Sequence, residues 1–232
     1  MPRHTPKRDP EAPGGEIRIS SGALRGRVIE CPQTGGVRPM LNRTRMALFN
    51  LLRDRLKGAT VWDCFAGSGL LGIEALSQGA DYCVFVEKNG AHARVVQANL
   101  DALGLRQRSS LLRGSIFDLV KPGAPRLPHT PAGIVLLDPP HAMIEDARGP
   151  FWPWLQGLPD SPLLDEKTII AIGHPRRADH PATGGQAAGA GLPRIRNRGV
   201  HAADAGLAVS AASVTLLLPC RHEAVADRHE PG

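Results

Sequence analysis

From Ala59 onward, short apolar runs alternate with stretches whose apolar residues recur at helical spacing, and that alternation constrains the fold more than any other feature. TVWDCFAG reads as a buried strand running into a glycine-rich turn. LLGIEALSQG reads as a helix stopped by Gly79, DYCVFVEKN as a second strand, and AHARVVQANLDALGL as a second helix. A third strand lies in SSLLRGSIFDLV, a fourth in AGIVLLDPP and a fifth in TIIAIGHPR, while LAVSAASVTLLLP offers one or two more, paired as a hairpin. Strands apolar on both faces and separated by helices imply an α/β fold, a doubly wound and mostly parallel sheet covered on both sides. Two linkers rich in Pro, Gly and Ala interrupt it, KPGAPRLPHTPAG and HPATGGQAAGAGLP; the second carries the Ala/Gly-rich stretch 181–192.

An open sheet of this kind binds ligands beyond the carboxyl ends of its strands, near the point where the strand order reverses. Four carboxylates fall at that edge: Asp63 ends the first strand, Glu87 the second, Asp118 follows the third, and Asp138 ends the fourth. Gly67, Gly69 and Gly72 form a G-x-G-x-x-G turn, which lets the backbone approach a ligand and opens a helix at its positive end. A pyrophosphate would exploit that end, but Asp63 beside the same turn would repel it. An ammonium and a sulfonium, as in S-adenosylmethionine, suit the carboxylate instead. Glu87 is placed to accept hydrogen bonds from two ribose hydroxyls, a role common to both cofactor classes.

The tetrapeptide DPPH, residues 138–141, carries the chemistry. The lone pair of an exocyclic amino group on a base is delocalised into the ring, which makes the nitrogen a poor nucleophile. Accepting its two N–H groups on the Asp138 carboxylate and the Pro139 carbonyl would hold the nitrogen with that lone pair aimed at a methyl group. Pro139 and Pro140 fix the backbone so that the carbonyl points inward. His141 would stack on the base, and Asp138 could take the departing proton.

The positive charge lies in the first quarter of the chain. Residues 1–60 hold 12 Lys/Arg against 5 Asp/Glu, a net +7, leaving 16 against 17, or −1, for the remainder. That asymmetry points to a polyanion partner. EIRISSGALRGRVIECP reads as a small hairpin carrying Arg18, Arg25 and Arg27. In LNRTRMALFNLLRDRL, Leu41, Leu48, Phe49, Leu52 and Leu56 recur at helical spacing, with Asn42 or Thr44 as N-cap and arginines on the other face. Arg25, Arg27, Arg38, Arg43 and Arg45 are the candidates for contacts to the phosphates of such a partner, because guanidinium forks match phosphate oxygens. Trp152 and Trp154, in PFWPWLQGLP, read either as a base-stacking lid near His141 or as packing under a loop.

With 42% apolar residues in 232, the chain can bury a sizeable core, so one main domain with an attachment is expected. The divisions are a disordered tail over 1–15, a hairpin–helix extension over 16–58, the main domain over 59–220 and a polar tail over 221–232. The N-terminus has no apolar core of a secretory signal, and no run approaches the roughly 20 apolar residues of a membrane span. Cysteines at 31, 64, 83 and 220 form no C-x-x-C pair and no zinc-like cluster, so reduced thiols and no metal site are expected. A cytoplasmic protein is the expectation, and a monomer is taken as its state.

Taken together, DCFAGSGLLGIEALSQGA, VFVEKN, GSIFDLV and LLDPP resemble class I methyltransferases, and specifically the bacterial 16S ribosomal RNA guanine-N2 methyltransferases. RISSGALRGRVIECP followed by VRPMLNRTRMALFNLL resembles the N-terminal hairpin and helix of that family. The resemblance runs from about residue 17 to residue 140. It implies that Asp63, Phe65, Gly67 and Gly69 form the methionine-side loop for S-adenosylmethionine. It further implies Glu87 as the ribose acceptor, Ile116, Phe117 and Asp118 as the adenine pocket, and Asp138, Pro139 and Pro140 as the amino-group clamp. The implied substrate is guanine N2 in 16S ribosomal RNA, free or in the assembling small subunit. His141 stands where the family has Phe or Tyr, and Asn42 where it has Asp. An adenine-N6 methyltransferase, an NAD-dependent oxidoreductase and a non-catalytic RNA-binding relative remain as alternatives.

Overall fold

The computed structural model describes residues 15–32, 40–121, 127–173 and 214–217. The tails, Arg38, the 181–192 stretch and most of LAVSAASVTLLLP lie outside the described residues. Two short strands, β1 (Glu16–Arg18) and β2 (Val28–Glu30), pair antiparallel with Ile17 opposite Ile29. Helix α1 (Asn42–Leu56) leads into the sheet, which alternates β3 (Thr60–Asp63), α2 (Leu70–Ser77), β4 (Tyr82–Glu87), α3 (Gly90–Ala102) and β5 (Ser109–Arg113). There follow α4 (Ile116–Leu119), β6 (Ile134–Leu137), α5 (His141–Glu145), α6 (Phe151–Gly157), β7 (Ile169–Gly173) and β8 (Val214–Leu217). Strand order is β5-β4-β3-β6-β7-β8, parallel up to β7, with β8 antiparallel to it. The doubly wound, mostly parallel sheet is thus observed.

Alternation along each strand feeds two separate cores. Val61, Cys83, Phe85, Ile134, Leu136 and Ile169 face the layer of α1, α2, α3 and the hairpin. Trp62, Val84, Val86, Val135, Leu137 and Ile170 face the layer of α4 and α6. Burial on both faces explains why these strands read as nearly unbroken apolar runs. Gly72 serves the first layer: a Cβ there would stand 2.3 Å from Phe85 Cε1 and 2.7 Å from Cys83 Sγ, so its absence lets α2 lie against β4.

Helix α1 buries Leu48, Phe49, Leu52 and Leu56, as their spacing requires. Its start differs from expectation. Leu41, not Asn42 or Thr44, is the N-cap residue; it makes no side-chain cap and is 59% exposed. Asn42 is the first helical residue, and its Oδ1 accepts from Arg45 Nη2 at 3.0 Å.

The hairpin is bolted to α2 through polar groups. Ala23 N donates to Ser77 O at 2.7 Å and Leu24 N to Ser77 Oγ at 2.9 Å. Ser20 donates to Glu74 Oε1 through its backbone N–H at 2.6 Å and through its hydroxyl. Glu74 is fully buried and also faces Arg45 Nε at 3.0 Å. On α3, Asn99 binds both backbone groups of Glu30 and donates to Ser68 O in the glycine turn, each at 2.9 Å. The extension and the turn therefore share supports.

Removing one partner of a buried ion pair leaves the other charge desolvated without its counterion. Glu74→Ala is expected to lower unfolding free energy by about 3 kcal/mol in urea titration, whereas exposed Asp54→Ala should change it by less than about 0.5 kcal/mol.

Candidate active site

Strands β3 and β6 are neighbours whose sheets continue in opposite directions, through β4 and β7, so the reversal of strand order lies between them. Asp63 ends β3 and Asp138 follows β6, with Glu87 ending β4 alongside. The glycine turn crosses this edge. Gly67 and Gly69 take φ of 57° and 82°, left-handed values that a side chain resists, and Gly69 is the N-cap of α2.

Each carboxylate has a distinct setting. Asp63 is 1% exposed; its Oδ2 accepts from Gly72 N at 2.9 Å, and Oδ1 has no hydrogen-bond partner among the described residues. Burial pushes its pKa up to about 7, against the pull of the Gly72 N–H, with Asp138 and Glu87 adding like-charge repulsion. Glu87 accepts from Gly67 N at 2.8 Å through one oxygen and from Asn89 N at 2.7 Å through the other. Buried His92 of α3 places Nδ1 3.9 Å from Glu87 Oε1. Two N–H bonds leave lone pairs on the carboxylate for further donors.

Asp138 is half-buried, and burial lifts its pKa to about 6 while nearby His141 draws it down. Pro139 is buried, and exposed Pro140, at φ −50° and ψ 135°, precedes α5. His141 is the first residue of that helix and is exposed. Gly173, which carries no local signal in the sequence, stands beside the Asp138 carboxylate, and the Met40 methyl borders the same space.

On the other side of the turn, Gly114 N donates to Glu87 O at 3.1 Å and Ser115 Oγ accepts from Phe117 N at 3.3 Å. These bonds bring the start of α4 beside the end of β4. Half-buried Phe65 and Phe117 meet edge to face at 6.2 Å between centroids. Asp118 is exposed, whereas the Ile116 side chain packs in the second core at 2% exposure. Trp152 and Trp154 belong to the same core. Their indole nitrogens donate to Ile144 O at 3.0 Å and Val120 O at 2.7 Å, so they pack under a loop and form no stacking lid.

The family model described as "Conserved hypothetical protein 95" matches residues 17–189. Ribosomal RNA small subunit methyltransferase D of Escherichia coli K12 is 36% identical over 158 residues, covering 68% of this chain and 74% of that relative. The chain belongs to this family. Among solved structures, the Escherichia coli yhhF protein superimposes with a TM-score of 0.57 at 31% identity, covering 68% of this chain and 80% of that one. The Haemophilus influenzae protein HI0767 gives 0.53 at 28%, covering 73% and 87%.

The arginines of the hairpin and α1 separate into two kinds. Arg25, Arg27 and Arg43 are exposed, Arg27 with a bond from Nη2 to Ala102 O at 3.2 Å. Arg45 is not a phosphate contact. It is 3% exposed, held by Glu74, Asn42 and the carbonyl of Arg18, because residue 45 lies one turn before Leu48 and Phe49 on the buried stripe of α1. Among the described residues no cluster of His, Cys, Asp and Glu could hold a metal, and no helix is long and apolar enough to cross a membrane.

The raised pKa values set a pH dependence. Asp63 and Asp138 titrate near 3.8 when unfolded and at about 7 and about 6 when folded. Between those limits the folded chain holds protons that the unfolded chain has released, so the contribution of these two groups to stability is most favourable below pH 4 and falls as pH rises to 7. The melting temperature of the ligand-free protein should decline across that window, and Asp63→Asn should remove most of the decline.

Proposed function

We propose that the chain transfers a methyl group from S-adenosylmethionine to the exocyclic N2 of a guanine in 16S ribosomal RNA, free or in the assembling small subunit. The observation that carries the proposal is the convergence of Asp63, Glu87 and Asp138 on one sheet edge, with a proline pair fixing the backbone after Asp138. Membership in a family that includes small-subunit ribosomal RNA methyltransferases supports the substrate class.

The residues present fit a cationic donor. Asp63 has one oxygen without a donor in a buried site crowded by two further carboxylates, an arrangement that a positive ligand relieves and a pyrophosphate worsens. Glycine at 67 and 69 lets the backbone of the turn come close to a ligand. Phe65 and Phe117 offer apolar walls on the β4 side, near Glu87. When bound, S-adenosylmethionine supplies a methyl on a cationic sulfur, which keeps the bonding electrons and leaves as a neutral thioether.

The chain's own groups then act on the base. Asp138, ionised, and the Pro139 carbonyl accept the two N2–H bonds and fix the nitrogen lone pair on the methyl. As the N–C bond forms, the nitrogen becomes positive and gives up a proton, for which Asp138, at about 6, is placed as acceptor before release to water. His141, exposed at the start of α5, is proposed to stack on the base. Arg25, Arg27, Arg38 and Arg43 are proposed to hold phosphates around it. The enzyme is proposed to work as a cytoplasmic monomer, without a metal.

Labelled methyl transfer to under-methylated small subunits, with nucleoside analysis of the RNA, tests this. Label in N2-methylguanosine is expected. Label in N6-methyladenosine would contradict the base assignment, and binding of donor without any transfer would favour a non-catalytic RNA-binding protein. Asp138→Ala is expected to lower kcat by more than about 100-fold while leaving donor affinity within about twofold. Pairwise replacement of Arg25 and Arg27 by Ala should raise KM and reduce its salt dependence with little change in kcat.

A further inference from the structure

Strand β7 ends at Gly173, next to the point where β6 gives way to Asp138; Leu137 and Ile172 are paired in the residue before. A Cβ on Gly173 would stand 2.3 Å from Asp138 Oδ1, 3.2 Å from its carboxyl carbon and 3.2 Å from the Met40 methyl. The carboxylate and the methionine therefore occupy the volume that any larger residue at 173 would need. Gly173 does not take a left-handed φ, so backbone conformation does not demand glycine there. Space does.

Met40 reaches this spot from the segment that precedes α1. It is half-buried and packed on the first core, in which the hairpin and α1 also take part. The Asp138 carboxylate and the Met40 methyl thus border the same space at the end of β7, the methionine coming from the N-terminal extension.

We infer that Gly173 and Met40 are positioning residues for Asp138: the missing side chain at the end of β7 gives the carboxylate its seat, and the Met40 methyl covers it. The inference rests on the reading of Asp138 as the amino-group clamp. A clamp needs direction as well as charge, because two acceptors must meet two N–H bonds while the lone pair faces the methyl. A carboxylate on a short side chain keeps that direction only if neighbouring atoms forbid its other rotamers. Gly173 permits one seat against the sheet and Met40 keeps water from competing for it. The titratable groups that bear on Asp138 among the described residues are His141 on α5 and Asp63 at the end of β3.

The atom that an added Cβ would strike is the far end of a side chain, so the sheet can admit alanine by turning the carboxylate rather than by shifting strands. Gly173→Ala therefore separates position from folding. In the full-length protein with under-methylated small subunits, Gly173→Ala is expected to lower kcat by about 100-fold, the scale of a misplacement near 1 Å. Melting temperature, donor affinity by calorimetry and KM for the subunit should stay close to wild type. The inflection in kcat/KM for the donor against pH, which reports the donor-free protein, should move from about 6 toward the ordinary carboxylate range as the group turns into water. Met40→Ala should lower the inflection in the same direction, and Met40→Leu should restore it.

Asp138→Ala is measured in parallel. If it is inactive while Gly173→Ala keeps wild-type kcat and pH profile, the positioning role is overturned and the clamp stands. Full activity of Asp138→Ala would overturn the clamp and the positioning role with it. Should Gly173→Ala fail to fold, the Met40 pair decides by the same pH inflection, an unmoved inflection in Met40→Ala overturning the inference.

Discussion

Three carboxylates crowd the carboxyl edge of the sheet where β3, β4 and β6 end, and the most buried of them, Asp63, has an oxygen with no hydrogen-bond partner among the described residues. A fold does not gather like charges in a dry place for its own stability. Burial and mutual repulsion lift Asp63 to about 7 and burial lifts Asp138 to about 6, which is the free-energy cost of the arrangement expressed as proton affinity. The rest of the site reads as support for holding these groups in place. Gly72 N–H fixes one oxygen of Asp63, and Gly67 and Asn89 fix Glu87.

The extension is joined to this edge in three places. Glu74 of α2 binds Ser20 of the hairpin and Arg45 of α1, Asn99 of α3 bridges β2 to the glycine turn, and the Met40 methyl borders the space beside Gly173 that the Asp138 carboxylate also borders. The segment proposed to hold RNA is thus packed into the same core and hydrogen-bond network as the segment proposed to hold the donor.

Much of this was legible in the sequence because it is encoded over short spans. The order of strands and helices, the Gly67–Gly69 turn, and Asp63, Glu87 and Asp138 at strand ends all follow from patterns within a few residues of each site. What depends on distant contacts was not. Gly173 is one of 26 glycines and nothing in its neighbours marks it as the seat of a carboxylate 35 positions earlier. Arg45 reads by its charge as a surface residue, although its position, three and four residues before Leu48 and Phe49, puts it on the apolar stripe. The tryptophans of α6 have the composition of a stacking lid, but their indole N–H groups find backbone carbonyls inside the core.

The central claim is that this edge is built for a cationic ligand that forces its carboxylates to ionise. Titration of the full-length protein with S-adenosylmethionine at pH 6.5, in buffers of different ionisation enthalpy, measures the protons exchanged on binding. The account predicts binding accompanied by net proton release, as Asp63 and Asp138 give up protons to face the charge, and no binding of NAD. Binding of NAD, or binding of S-adenosylmethionine without proton release, would contradict it.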